Sequence, residues 1–363
     1  MTVSYPIRVL ADSEYSKEQS MSDYYRSKDD ETLPQSAVPS RRRALLKLAA
    51  LGVGATSVLT GCGALLASQA TRAEEPGKTF RIGYQKYGNF VVLKARGTLD
   101  KRLAAQGVTV QWLEFPAGPQ LLEGLNAGTV DASTVGETPP IFAQAAGVDF
   151  VYVGNEPPAP QGEAIMVPHD SAIRKVEDLR GKKVALNKGS NVHYLLVKAL
   201  KKAGLSYADI LPVYLVPADA RAAFVQGSVD AWVIWDPYFA VVEHQANARV
   251  IVDGTGLVRN TQYYLATRKF ATAQPQLVHA LLEELDHVDQ WGRDNVPDVA
   301  KLLSPLVGLD QPTLERALKR TAYGVQPITP ETLAYQQQIA DTFTDLKLIP
   351  KKLAVTDARW SVV

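Results

Sequence analysis

From residue 79 onward, short apolar runs alternate with stretches of helical spacing. Residues 79–84, 108–115 and 132–135 are brief, apolar and bounded by turn residues, the pattern of buried strands. Between them, Val91, Val92, Leu93, Ala95, Leu99 and Leu103 give one apolar face to a helix predicted over 90–106. A shorter helix is predicted over 118–127, closed by Gly128. The order β-α-β-α-β then recurs: strand 183–187, helix 192–203, strand 211–215, helix 220–226 closed by Gly227, and strand 231–234. Leu277, Ala280, Leu281, Leu285, Val288 and Trp291 keep helical spacing, and 275–343 reads as helical. Strands alternating with helices predict an α/β fold with parallel-dominated sheets flanked by helices.

The recurrence is visible in the residues. Gly128, Val130, Asp131 and Ala132 correspond to Gly227, Val229, Asp230 and Ala231, 99 positions later. Phe115-Pro116-Ala117 corresponds to Val216-Pro217-Ala218, and Asn89 to Asn191, at offsets of 101 and 102. Three blocks in one order at nearly one offset mark an internal repeat. Two similar α/β units follow, with chain crossings at 155–162, rich in proline, and at 260–267. The boundaries expected are 74–165 with 265–363 for the first lobe and 166–264 for the second. Ligands of such sheets bind outside the carboxyl ends of the strands. There the sequence places Gln85-Lys86, Gly136-Glu137-Thr138, Gly189-Ser190-Asn191, Ala218-Asp219 and Trp235 to Tyr238. Facing edges of two lobes make a hinged cleft.

Composition narrows the function. The 363 residues suggest about two domains at roughly 150 each. A net charge of +1, without a basic stripe beyond the N-terminal segment, argues against nucleic-acid binding. Cys62 is the only cysteine, so an intrachain disulfide or a cysteine-built metal site is excluded. No cofactor and no metal are expected. The five histidines form no His-Glu-x-x-His pair, and neither Gly-x-Ser-x-Gly nor a P-loop occurs. The first 73 residues read as a polar, disordered leader followed by an export signal. Arg41-Arg42-Arg43 precedes the short apolar run 48–59, and Arg42-Arg43-x-Leu-Leu-Lys resembles a twin-arginine signal; an ordinary signal with a rich basic region is the other reading. Leu59-Thr60-Gly61-Cys62 resembles a lipobox with Cys62 as the lipidated residue, and Thr71-Arg72-Ala73 is a competing cleavage site. The stretch ahead of the arginines is long for a signal, which points to a start downstream, with Met21 a candidate. Either way, a location outside the cytoplasm is expected, in the periplasm, soluble or lipid-anchored.

Three segments carry a family resemblance: Phe80 to Gly88, Val135-Gly136-Glu137-Thr138-Pro139-Pro140 and Trp235-Asp236-Pro237-Tyr238. They resemble the aliphatic sulfonate-binding proteins of bacterial ABC importers, whose relatives take taurine, nitrate and thiamine precursors. The resemblance covers about residues 78–360. It implies the two-lobed periplasmic binding protein fold of type II, an alkanesulfonate ligand, and delivery to a membrane permease driven by a cytoplasmic ATPase. A monomer is expected. Gln85, Gly136, Glu137, Ser190 and Asn191 match the family's cleft loops. Some enzymes resemble this fold and rely on cysteine or on clustered cysteine and histidine, which the chain beyond Cys62 lacks.

The chemistry of a sulfonate site suits these loops. Its head group is a monovalent anion with three acceptor oxygens. Helix N-termini offer unpaired N–H donors and partial positive charge. Gly189, Ser190 and Asn191 precede one helix and either touch the anion or serve that helix as caps. Gln85 is a neutral donor or a turn residue, and Lys86 an attracting charge or a solvated one. Glu137 fixes its loop or meets a ligand amine. Thr138 and Asp219 lie on strand-end loops. Trp235 and Tyr238 line an apolar tail or pack in the core. His193, one turn into its helix, is a further cleft candidate.

Overall fold

A computed structural model describes residues 78–86 and 88–360. The expected leader, Arg42, Arg43 and Cys62 lie outside the described residues. β1 (Lys78–Tyr84) leads through α1 (Asn89–Arg96) and α2 (Thr98–Ala104) to β2 (Val108–Glu114). α3 (Gly118–Asn126), β3 (Ala132–Gly136), α4 (Pro139–Ala145) and β4 (Phe150–Asn155) follow. The second set runs β5 (Glu163–Val167), β6 (Lys183–Leu186), α5 (Asn191–Lys202), β7 (Leu211–Tyr214), α6 (Pro217–Val225), β8 (Ala231–Trp235), α7 (Tyr238–Gln245) and β9 (Arg249–Asp253). The chain ends with β10 (Gln262–Thr267), α8 (Arg268–Ala273), α9 (Pro275–Asp294), α10 (Val296–Val307), α11 (Gln311–Leu318) and α12 (Pro330–Asp345).

Two five-stranded sheets have equivalent orders, β2-β1-β3-β10-β4 and β7-β6-β8-β5-β9. Both are mixed. β10 runs antiparallel to β3 and β4, and β5 runs antiparallel to β8 and β9. Each sheet therefore takes its antiparallel strand from the segment that has just crossed from the other. Sequence patterning read 260–267 only as an extended segment and did not register β4, β5 or β9. Glu163 is the first residue paired in β5, and Gln262 the first paired in β10.

The repeated residues do the same work twice. Asp131 accepts the backbone N–H of Arg81 on β1 at 2.8 Å, and Asp230 accepts that of Lys183 on β6 at 2.7 Å. Each aspartate thus fastens the entrance of the third strand of its sheet to the first, at mid-strand in β1 and at the start of β6. Gly128 and Gly227 precede them at φ of 70° and 71°, where a side chain would be strained. One predicted helix is corrected: 90–106 is broken at Gly97, whose φ of 62° caps α1 and starts α2. The apolar spacing continued through the break, so periodicity alone could not show it.

The first sheet's core is Phe80, Ile82, Phe90, Leu93, Leu99 and Leu103, closed by Leu277, Leu281 and Leu285 of α9. Phe90 stacks on Tyr264 of β10 at 5.6 Å between centroids, so the returning strand is part of that core. Among the described residues, no helix is long and apolar enough to cross a membrane.

Candidate functional site: a cleft between the two sheets

The carboxyl ends of β1, β3 and β8 and the starts of α3, α4 and α5 converge on one cleft. It holds about 310 Å³, counting the space continuous with solvent. Its walls are Gln85, Gly118, Gly136 and Pro139 from the first set of elements, Ser190, Asn191 and Trp235 from the second, and Asn260 and Gln262 from the returning crossing. None of these described wall residues carries a charge.

Asn191 is the junction. Its Oδ1 accepts the Thr138 N–H at 3.2 Å, and its Nδ2 donates to Asn260 Oδ1 at 2.6 Å. Asn260 in turn donates to the Ala159 carbonyl at 2.9 Å. One amide chain thus links α5 to the loop after β3 and to both crossings. This needs a glycine at 136: a Cβ there would lie 2.0 Å from Asn191 Oδ1. Gly189 has φ of 75° and also admits no ordinary side chain.

The donors of the cleft are neutral. Ser190 is the N-cap residue of α5 by position, yet its side chain does not cap: Oγ donates to the Asn187 carbonyl at 2.7 Å. No side chain caps α3 either. The first N–H groups of both helices are left for another acceptor. Gln85 Nε2 reaches the Thr134 carbonyl at a long 3.4 Å, leaving its second proton free. Gln262 is 8% exposed and its side chain has no partner among the described hydrogen bonds. Trp235 forms one wall and meets the half-buried Tyr238 edge-on at 6.5 Å.

Glu137 lies behind the wall, fully buried. Its Oε2 accepts the Thr261 N–H at 3.0 Å, and Oε1 has no partner. Burial pushes its carboxyl up to about 7, against the backbone bonds and nearby Arg259 that pull it down. Thr138 is buried with an unpartnered hydroxyl. Lys86 is solvated and 3.4 Å from Glu114. Asp219 is exposed. His193 is not a cleft residue: its ring is fully buried between Phe142, Phe343 and Tyr207, and burial lowers it to about 3. Its Nδ1 accepts the Gly189 N–H at 3.2 Å.

So Gln85, Gly136, Ser190, Asn191 and Trp235 are brought together on the cleft wall. Glu137, Thr138 and Gly189 stand behind it, and Lys86, Asp219, His193 and Tyr238 are not in the wall. Sequence reasoning did not select Gly118, Pro139, Asn260 or Gln262. Gly118 opens the helix read at 118–127, and Pro139 stands in the segment 135–140 that carries the family resemblance. Asn260 and Gln262 arrive with the crossing at 260–267, which the sequence marks only as extended.

Comparison with known proteins bears directly on this cleft. The NMT1/THI5-like family matches residues 103–287. A protein of Escherichia coli (strain K12) named for binding aliphatic sulfonates is 42% identical over 320 residues, 88% of this chain and 97% of its own. The chain belongs to the aliphatic sulfonate-binding proteins. Two solved members share the fold. The alkanesulfonate-binding protein SsuA from Xanthomonas axonopodis pv. citri, solved bound to MOPS, is 42% identical, with a TM-score of 0.76 over 79% of this chain and 100% of its own. The periplasmic aliphatic sulphonate binding protein SsuA from Escherichia coli is 44% identical, with a TM-score of 0.72 over 79% and 93%. The desulfurization enzyme DSZB, 18% identical with a TM-score of 0.56 over 78% and 96%, shares the fold alone. In an aliphatic sulfonate-binding protein, an uncharged cleft ringed by helix starts has a plain chemical use: it meets a diffuse anion with many N–H donors instead of one cation.

Proposed function

We propose that this chain is the extracytoplasmic solute-binding component of an ABC importer and captures alkanesulfonates in the cleft. The observation that carries the reading is the donor set: free N–H groups at the starts of α3 and α5, Gln85 and Gln262, with no charge among them. Three sulfonate oxygens suit several neutral donors, and Trp235 with Pro139 offers apolar surface to an alkyl tail. The relative solved with MOPS supports a sulfonate ligand, since that buffer carries a propanesulfonate arm. The two sheets with their helices form two lobes that close on the ligand, and the crossings near 156–161 and 254–261 act as the hinge. The loaded monomer then delivers its cargo to a permease and its ATPase, partners that the family implies.

The chain works as a binding protein and not as an enzyme. None of the described wall residues is a general base, and the Ser190 hydroxyl is held by a carbonyl. A turnover assay on alkanesulfonates should show none. Export to the periplasm runs through the Arg42-Arg43 signal, with Cys62 either lipidated or removed with the leader. Replacing both arginines by lysine should leave precursor in the cytoplasm; unchanged export would point to the general secretory route. The function itself is tested by a thermal-shift panel. Alkanesulfonates should raise the melting point with concentration, more than taurine, nitrate or sulfate do. A panel in which nitrate alone stabilises would move the chain to another ligand class.

A further inference from the structure

Besides the two crossings, a third link joins the C-terminal helices to the second sheet. α11 buries Leu314 and Leu318 in the first sheet's core. Beyond its last turn, Arg320 reaches Asp236, the residue after Trp235. Nε meets Oδ2 at 2.8 Å and Nη2 meets Oδ1 at 2.9 Å, a two-pronged pair. Nη1 meets Glu243 Oε2 of α7 at 3.1 Å, and the guanidinium lies 3.8 Å from the Phe239 ring centroid. Asp236 is buried and Arg320 nearly so, with side chains 1% and 15% exposed. Asp236 Oδ1 also accepts the Ala240 N–H at 3.1 Å, fixing the first turn of α7.

A pair withdrawn from water is retained only where its geometry offsets desolvation, and breaking one partner is then expensive. This pair joins the end of a helix packed on the first sheet's core to the loop after β8 of the second sheet, and Asp236 is covalently next to the wall residue Trp235. We propose that Arg320 is a positioning residue of the binding site: through Asp236 and Glu243 it latches the Trp235–Tyr238 loop to the C-terminal helices and holds that wall where the ligand needs it. The inference rests on the sulfonate-binding reading for its ligand measurement, not for its structural one. Neighbouring contacts of α11 with α7 do not touch Asp236: the half-exposed His244 meets Thr313 Oγ1 at 3.0 Å. Arg316 meets Glu243 at 3.5 Å from an exposed position.

Arg320→Gln, Arg320→Lys and Arg316→Gln separate the possibilities. Butanesulfonate dissociation is followed by tryptophan fluorescence at a temperature where each variant is folded. Exchange of the Ala240 amide is measured without ligand. Arg320→Gln should bind about tenfold or more weakly, through faster dissociation, and should expose Ala240 to exchange. Arg320→Lys keeps the charge without the fork, is the variant least prone to misfold, and should lie between. Arg316→Gln should stay within about twofold. A lower melting point for Arg320→Gln with unchanged affinity and Ala240 exchange would overturn the latch, as would an equal loss in Arg316→Gln. If the parent protein takes no sulfonate, the functional reading fails, and Ala240 exchange still decides the latch.

Discussion

Glu137 shows how a single buried group sets pH behaviour. An acid whose carboxyl rises from 4.5 to about 7 on folding holds its proton more tightly in the native state. Between those values the native protein binds more protons than the unfolded chain, so this group's contribution falls as pH rises, and levels off above 7. The penalty reaches about 3 kcal/mol at alkaline pH. Glu137→Gln removes the titration. Its melting point relative to the parent should climb between pH 5 and pH 8, whatever the constant offset; a difference that stays flat would contradict the burial argument. At the same scale, the donor set makes a ranking. Gln262→Leu or Gln85→Leu should weaken sulfonate binding about tenfold to a hundredfold, the worth of a hydrogen bond to a charged group. Lys86→Met should change it by less than about threefold, since Lys86 is solvated beside Glu114. Titration of the three variants checks the order. Gln85, Gly136, Ser190, Asn191 and Trp235 were legible because strand ends can be located from local pattern. His193 was misread because what buries it, Phe142 and Phe343, lies far away in sequence.

Among the elements, the repeat was legible because each copy must solve the same local problem. Asp131 and Asp230 each tie a third strand to a first one, after a glycine that turns the chain. They are not energetically equal. Asp131 also takes Arg81 Nε at 3.0 Å and Nη2 at 2.6 Å, whereas Asp230 takes one backbone N–H. Asp131→Ala should therefore destabilise by about 2–3 kcal/mol and Asp230→Ala by about 1 kcal/mol in urea unfolding. Equal losses would mean that the arginine contacts add nothing. The crossings were read from the sequence, but not that each crossing segment enters the other sheet as an antiparallel strand. β5 and β10 fit their sheets through partners roughly 70 and 130 residues away, and such pairing leaves no periodic mark on the strand itself. Gly97 escaped notice for the opposite reason: the apolar face is continuous across a break made by backbone conformation alone.

For the whole molecule, two sheets of one topology with a cleft between their loops support the proposed trap. Closure should appear in small-angle scattering as a smaller radius at saturating alkanesulfonate, and an unchanged radius would count against a moving hinge. The architecture was readable from the alternation and the repeat, and the neutrality of the cleft from its strand-end loops, to which the crossing adds Asn260 and Gln262 beside Asn191. That neutrality is the centre of the account, and calorimetric titration with butanesulfonate at low and high salt tests it most directly. Neutral donors and helix ends in a recessed cleft predict one saturable site whose affinity changes less than about threefold between 20 and 500 mM salt, because screening acts chiefly on exposed charges. No binding, or an affinity that collapses with salt as an exposed lysine pair would, contradicts it.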